Sequence, residues 1–317
     1  MPWEEWKSFM NKANAQVSDN LISRINDHYS SMSKGQKRLA DYCMEHYEKA
    51  AFMTAAELGR QAEVSESTAV RFAALLGYSG FPEFHDNLEE MVRMKLNSIQ
   101  RMEVTYGRIP REKILDTVLR HDENNIRMTL EQTDKKAFQM AVDDILQART
   151  IYVVGIRSCA PLAEFLSFYL KQIFPDVRLV STNNASEIFE QMIRISEKDV
   201  VIGISFPRYS MRTLKAMEFA NNRNARVITI TDSVHSPMNL YSSCNLIARS
   251  DMASIVDSLV APLSVINALI VALCMRRQKE VVYTLKTMEQ LWKEYQVYTG
   301  DEINRLEIGR ASCRERV

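Results

Sequence analysis

Apolar residues recur at helical spacing through the first third of the chain. Val17, Leu21, Ile22 and Ile25 are followed by Leu39, Tyr42, Cys43 and Tyr47, a rhythm that predicts helices with one buried side. Ser33 ahead of Lys34-Gly35-Gln36-Lys37 predicts an N-cap. Residues 84–102 continue as helix, with Leu88, Met91, Val92 and Ile99 on one side. Gly107-Arg108-Ile109-Pro110 breaks the pattern and predicts a hinge. Helical spacing resumes over residues 111–130 and again, after an Asp134 cap, over 135–146. At Thr150 the pattern changes. Ile151-Tyr152-Val153-Val154, Val177-Arg178-Leu179-Val180, Asp199-Val200-Val201-Ile202-Gly203-Ile204, Arg226-Val227-Ile228-Thr229-Ile230 and Cys244-Asn245-Leu246-Ile247-Ala248 are short, β-branched, nearly continuous apolar runs separated by helical stretches. Such runs predict strands buried on both faces of a parallel sheet with crossover helices, an α/β fold. Ligands bind such sheets outside the carboxyl ends of the strands, which makes the residues after each run the site candidates.

Within the helical part, Thr54-Ala55-Ala56-Glu57 is a capping box, and Leu58 and Ala62 give the helix behind it a buried side. Glu63-Val64 makes a turn, Ser65 caps a second helix over residues 66–76, and Gly77 ends it. The pair has the form of a helix-turn-helix, with Val64, Ala69, Phe72, Leu75 and Leu76 inside. Ser67, Thr68 and Arg71 then face outward near the start of the second helix, the part that enters the major groove in this motif. Short hydroxyls bond phosphates or base edges there, and an arginine can make the bidentate contact to guanine. Thr54, Ser65, Ser67, Thr68 and Arg71 are the candidate DNA contacts. Net charge neither adds to this nor removes it. The chain has Lys+Arg 40 against Asp+Glu 40, and its first 108 residues hold 13 basic and 15 acidic side chains. Positive charge toward DNA must therefore be local, with Lys34, Lys37, Arg38, Arg60 and Arg71 as its sources.

Val64-Ser65-Glu66-Ser67-Thr68-Ala69-Val70-Arg71-Phe72, followed by Leu76-Gly77-Tyr78-Ser79-Gly80-Phe81, closely resembles the N-terminal domain of RpiR/MurR-type bacterial transcriptional regulators. That resemblance implies operator binding, with Gly77, Tyr78, Gly80 and Phe81 closing the domain behind the recognition helix.

Two strand-to-helix turns could hold an anion, because backbone amides, hydroxyls and the helix dipole converge at such places. One is Gly155-Ile156-Arg157-Ser158-Cys159; the other is Ser205-Phe206-Pro207-Arg208-Tyr209-Ser210-Met211-Arg212-Thr213. The chain from 111 to 278 resembles the SIS (sugar isomerase) domain, which implies a doubly wound, five-stranded parallel sheet that binds phosphosugars. The family signatures are Gly-x-Gly-x-Ser in the first turn and Ser-x-Ser-Gly-x-Thr in the second. Here Arg157 replaces a glycine, Cys159 falls at the usual serine with Ser158 beside it, and Pro207-Arg208 stand where Ser-Gly is usual. Ser205 and Ser210 match the outer hydroxyl positions. The lost glycines limit close backbone approach, and the two arginines offer a direct grip on an anion instead. Glu187, in Ala185-Ser186-Glu187, resembles a residue lining the sugar site of SIS enzymes; a helix-start carboxylate is the equal alternative. The candidate ligand residues are Arg157, Ser158, Cys159, Ser205, Arg208, Ser210 and Glu187.

An aldose–ketose isomerase needs a positioned base. SIS isomerases place a glutamate in the loop before the last long helix. The corresponding stretch, Arg249-Ser250-Asp251-Met252-Ala253-Ser254-Ile255-Val256, holds neither Glu nor His, and its Asp251 is accounted for as a cap. His235 is a poorly placed alternative. The expectation is therefore a sensor without catalysis, metal or cofactor; the alternative is a phosphosugar isomerase with an appended helical domain.

Hydrophobic residues make up 46% and charged residues 25% of the 317, ordinary globular values that exclude disordered and collagen-like chains. The five cysteines are scattered with no C-x-x-C, which fits a reducing cytoplasm and argues against disulfides or zinc. Met1-Pro2-Trp3-Glu4-Glu5-Trp6 lacks the apolar core of a signal peptide. Ser258 to Met275 reaches roughly the length of a membrane span, but Pro262, Ser264 and Asn267 interrupt it and Asp257 precedes it. A buried helix, and a self-association surface, is the expectation. Residues 307–317, EIGRASCRERV, resemble the translation of a sequencing-adapter oligonucleotide joined in frame and are set aside with Cys313.

The expected organisation is an extension (1–20), an all-α helix-turn-helix domain (21–106), a hinge and linker helix (107–133), a SIS domain (134–278), and a C-terminal helix (279–306). The expected partners are double-stranded operator DNA, a phosphosugar and a second copy in a homodimer or higher oligomer, with no membrane.

Overall fold

In the computed structural model, residues 21, 23–95, 98–105, 109–182, 184–234, 236–252 and 256–297 are described. The extension 1–20, Gly107 and Arg108 of the hinge, Asn183, His235, Ala253 to Ile255 and the tail 307–317 lie outside the described residues.

The N-terminal part is helical: α1 (Lys34–Glu45), α2 (Tyr47–Ala50), α3 (Ala55–Gln61), α4 (Glu66–Leu75), α5 (Phe81–Lys95) and α6 (Ser98–Thr105). The Ser33 cap forms as a complete capping box with Gln36, as does the Thr54 box with Glu57. Leu39, Leu58, Phe72, Phe84 and Leu88 are fully buried in one core. Phe84 takes the edges of Phe72 and Tyr78 at centroid distances of 5.8 and 5.6 Å. The Tyr78 hydroxyl donates to Asn87 at 3.2 Å, and the Arg24 guanidinium lies over the Tyr78 ring. Gly77 has φ +84, the left-handed backbone a helix C-terminus requires. The Leu-Gly-Tyr-x-Gly-Phe segment is thus the clasp that closes this core.

The described residues of the helix expected over 84–102 form α5 and α6. Ile99, expected inside with Leu88 and Val92, is exposed, and Arg101 is buried.

α7 (Ile114–Gln132) and α8 (Lys135–Gln147) lead into five strands. These are β1 (Ile151–Gly155), β2 (Val177–Val180), β3 (Val200–Ile204), β4 (Arg226–Thr231) and β5 (Cys244–Ile247), interleaved with α9 (Ala160–Ile173), α10 (Ala185–Gln191) and α11 (Met211–Asn221) and followed by α12 (Val260–Arg276) and α13 (Gln278–Glu294). All strands are parallel in the order β2-β1-β3-β4-β5. β1 and β3 are buried along their whole length, as their uninterrupted apolar runs require. After β1 the chain moves to one side of that strand, and after β2 to the other. The carboxyl ends of β1 and β3 therefore flank a topological switch point, the crevice where this architecture binds ligands.

α12 packs Ala261, Ile266, Leu269 and Leu273 into the core against the sheet. The core accounts for that side of the helix, while Val260, Val271 and Met275 remain exposed on it. Among the described residues no single helix is long and apolar enough to cross a membrane. The helix read as a linker, α7, is likewise docked. Its buried Asn125 donates to the Asp251 carbonyl at 3.2 Å, and its Thr129 hydroxyl accepts from the Arg249 amide at 2.9 Å.

Candidate functional site

The helix-turn-helix is set by close backbone approach. The chain turns at Glu63, a left-handed residue with φ 54. A Cβ on Gly59 would lie 2.9 Å from the Val64 carbonyl oxygen, so only glycine fits where the two helices meet. This requirement was missed in the sequence, where Gly59 sits inside a helical run without other signal. The Val64 amide donates to the Gly59 carbonyl at 2.7 Å and fixes the corner. Ser65 occupies the N-cap of α4, but its hydroxyl makes no cap bond to the backbone. It pairs with the hydroxyls of Ser67 at 2.9 Å and Thr68 at 2.8 Å. The expected capping role is thus replaced by a cluster of three hydroxyls at the leading end of α4. Ser67 and Arg71 are exposed on the same helix, and Thr68 is half-buried. Thr54 is exposed, with its side chain engaged by Glu57. Of the basic residues, Lys34, Arg60 and Arg71 are exposed, Arg38 faces Glu63 at 3.4 Å, and Lys37 lies over the Tyr29 ring.

The second site is a pocket of about 500 Å³ at the switch point, within the usual range for small-molecule sites. Arg157, Ser158, Cys159, Ser205, Arg208 and Ser210 all line it. Glu187 does not. Its carboxylate accepts from the Thr182 hydroxyl and from the Asn184 side-chain amide at the start of α10, which is the helix-start alternative.

Both turns carry a strained residue, and in each it is the arginine. Arg157 has φ 61 and Arg208 has φ 64. These are the positions where glycine is usual, so the backbone keeps a glycine-like conformation although the side chain has changed. For a residue with a Cβ this costs roughly 1–2 kcal/mol. Such strain persists where surrounding structure over-determines it, and it concentrates at binding sites. Gly155 keeps its role: a Cβ there would lie 2.8 Å from the Ala163 Cβ and the Cys159 carbonyl.

Ser205 is buried, and its hydroxyl oxygen accepts the Ser210 amide at 3.0 Å. Ser210 is the N-cap of α11 and accepts the Thr213 amide at 3.4 Å. With each oxygen accepting from the turn, each hydroxyl hydrogen can donate to an anion at the helix start. Burial pushes the Cys159 thiol up to about 11, so it is a neutral lining group with no thiolate character.

Two pocket residues had no signal in the sequence. Asp257 follows the stretch 249–256, and Arg101 comes from α6, far away in the chain. They form an ion pair of 2.7 Å. Asp251, expected as a cap, instead accepts from Arg249 at 2.8 and 3.2 Å.

The fold and these two regions define a helix-turn-helix transcriptional regulator that carries a SIS domain. Residues 19–95 match the helix-turn-helix domain of the rpiR family, and residues 144–272 match the SIS domain. The chain belongs to the rpiR family of HTH-type transcriptional regulators. It is 25% identical to an uncharacterized HTH-type transcriptional regulator of Haemophilus influenzae, over 85% of this chain and 94% of the relative. It is 24% identical to the HTH-type transcriptional regulator HexR of Escherichia coli, over 87% and 95%. The sugar isomerase domain of the RpiR transcription factor of Sphaerobacter thermophilus matches 56% of this chain and 99% of its own at 25% identity, with a TM-score of 0.54. The Vibrio vulnificus NanR protein, solved in complex with ManNAc-6P, matches 86% and 97% at 20% identity, with a TM-score of 0.53.

Proposed function

We propose that this regulator binds operator DNA through α4 and senses a phosphorylated sugar, or a related anionic sugar metabolite, in the pocket at the switch point. The observation that carries the reading is the pair of left-handed arginines, Arg157 and Arg208, facing one pocket with Ser158, Ser205 and Ser210. Guanidinium groups and hydroxyl donors at the start of a helix suit a phosphate. The NanR relative was solved with a sugar phosphate bound. The domain acts as a sensor and does not catalyse: of the described residues that line the pocket, the one carboxylate is Asp257, and Arg101 engages it. The test is calorimetric titration with inorganic phosphate, hexose 6-phosphates, pentose 5-phosphates and ManNAc-6P. One sugar phosphate is expected to bind, and its binding is expected to weaken with Ser205→Ala. Failure of the whole panel, or indifference to that substitution, refutes the pocket; turnover of any member refutes the sensor.

On the DNA side, Ser65, Ser67, Thr68 and Arg71 face the major groove, and Thr54 leads the first helix onto the backbone. Arg71→Ala is expected to weaken operator binding by roughly 1–3 kcal/mol and to relax preference at one base pair. Titration at fixed salt against operator variants checks this; unchanged affinity and preference would remove Arg71 from the interface.

The regulator works as a homodimer or higher oligomer in the cytoplasm, where operators lie and where Cys43, Cys159, Cys244 and Cys274 remain free thiols. α7 supports the oligomer. Its packed side carries the polar Asn125 and Thr129, whereas Leu115, Leu119, Ile126 and Leu130 form one exposed stripe, with Leu115 and Leu130 70% and 73% exposed. A helix that buries polar groups and exposes leucines is reversed for an isolated chain, and a symmetric partner would cover it. Leu119→Asp with Leu130→Asp is expected to yield monomers in sedimentation equilibrium; an unchanged assembly would place the interface elsewhere.

A further inference from the structure

The pocket is not built from the SIS domain alone. Arg101 projects into it from α6, the helix that follows the helix-turn-helix domain, and is 2% exposed. Its guanidinium donates to the Asp257 carboxylate at 2.7 Å. Described residues near Asp257 in the chain reach toward both domains. Met252, bridged to Asp257 as an isolated antiparallel pair, is buried in the helical core with Leu88, Met91 and Val92. Val256 and Leu259 line the pocket beside Asp257. Val256 and Asp257 thus touch ligand space, and Met252, bridged to Asp257, touches the core of the DNA-binding domain.

We infer that Arg101 is the third arginine of the anion site, and that a phosphate in the pocket competes with Asp257 for its guanidinium. This deepens the proposed function and rests on the pocket assigned there. A carboxylate at the rim of an anion site repels the anion, so its most economical role is to hold a cation that the anion can take over. Arginine suits such sharing, because its planar fork can serve two oxyanions at once and it stays charged throughout. When the guanidinium turns toward the ligand, Asp257 loses its partner, and the strain passes through Met252 and α6 to the helical core. The ligand would then have different contact energies with two arrangements of the domains, the thermodynamic requirement for an effector.

The test uses the full-length protein and inorganic phosphate as the probe. Phosphate affinity is measured for the wild type, Asp257→Asn, Arg101→Lys and Arg157→Ala. In parallel, the Arg101 side-chain Nε–H resonance, assigned by its loss in Arg101→Lys, is followed during the phosphate titration. Asp257→Asn keeps the shape of the site while removing the competing charge. It is expected to tighten phosphate by about tenfold, the size of one charge-assisted hydrogen bond. The Arg101 resonance is expected to move in the wild type with the same midpoint as binding. Arg101→Lys keeps the charge but not the fork and is expected to weaken binding severalfold. If Arg157→Ala weakens phosphate while Asp257→Asn leaves it unchanged, the inference fails and the pocket stands. Tightening with a stationary Arg101 resonance reduces the effect to net charge and also overturns it. Phosphate binding indifferent to Arg157→Ala overturns the pocket itself, and this inference with it.

Discussion

Replacing both hydroxyls of the β3 turn, Ser205→Ala with Ser210→Ala, is expected to weaken the sugar-phosphate effector by roughly two to four orders of magnitude. Each hydroxyl hydrogen can donate one charge-assisted bond to a phosphate oxygen, worth about 1.5–3 kcal/mol, and every 1.4 kcal/mol is about tenfold in affinity. The wild-type effector is expected to shift operator affinity by roughly 5–150-fold, and the double variant should not respond at concentrations that saturate the wild type. The structure adds a cost that the spacing of the two serines does not reveal. Their oxygens also accept the Ser210 and Thr213 amides that begin α11. A lost N-cap costs about 1 kcal/mol, so the variant should unfold at lower urea while retaining effector-free operator binding. The deciding measurement is a DNA titration of both proteins with and without effector. A variant that still responds at the wild-type concentration leaves the β3 turn as a helix start and nothing more.

Arg157→Gly is expected to move stability and binding in opposite directions. Its φ of 61 carries a left-handed penalty of roughly 1–2 kcal/mol. Glycine removes that penalty and gives back about 0.4–1 kcal/mol through the freer unfolded chain. The folded protein should therefore gain about 0.5–1 kcal/mol, read from urea unfolding at constant m. The effector should bind about ten- to a hundredfold more weakly, because one charge-assisted bond is gone. A stabilised variant with unchanged affinity would mean that the strain serves something other than the anion. A destabilised one would mean that Arg157 supports the fold. The opposed signs separate a binding arginine from a structural one, which a simple loss of affinity does not.

Much of the fold is local and was legible in the residues. The five strands are apolar β-branched runs ended by polar turns, and a strand buried on both faces needs little beyond its own sequence to declare itself. Capping boxes at Ser33 and Thr54 and the left-handed Gly77 act over three or four residues, so spacing alone located them. Arg157 and Arg208 stood out because they replace glycines, and the backbone retains the conformation those glycines would take.

What the residues did not disclose depends on which face of an element meets another. Ile99 continues an apolar spacing, yet it is exposed and Arg101 is buried, because what packs against a helix face is decided by distant parts of the chain. Glu187 follows a strand as a sugar ligand should, but its carboxylate is taken by Thr182 and Asn184 beside it. α7 exposes leucines because the surface it rests on offers the Arg249 amide and the Asp251 carbonyl, which only polar groups can satisfy. Arg101 and Asp257 are 156 residues apart. The sequence by itself determined the two domains, their elements and the turns that bear the site. Only the tertiary structure decided that an arginine from one domain enters the pocket of the other. The physical reason is that periodicity and capping energies act within a few residues, whereas an ion pair forms wherever the chain brings two charges together and away from water.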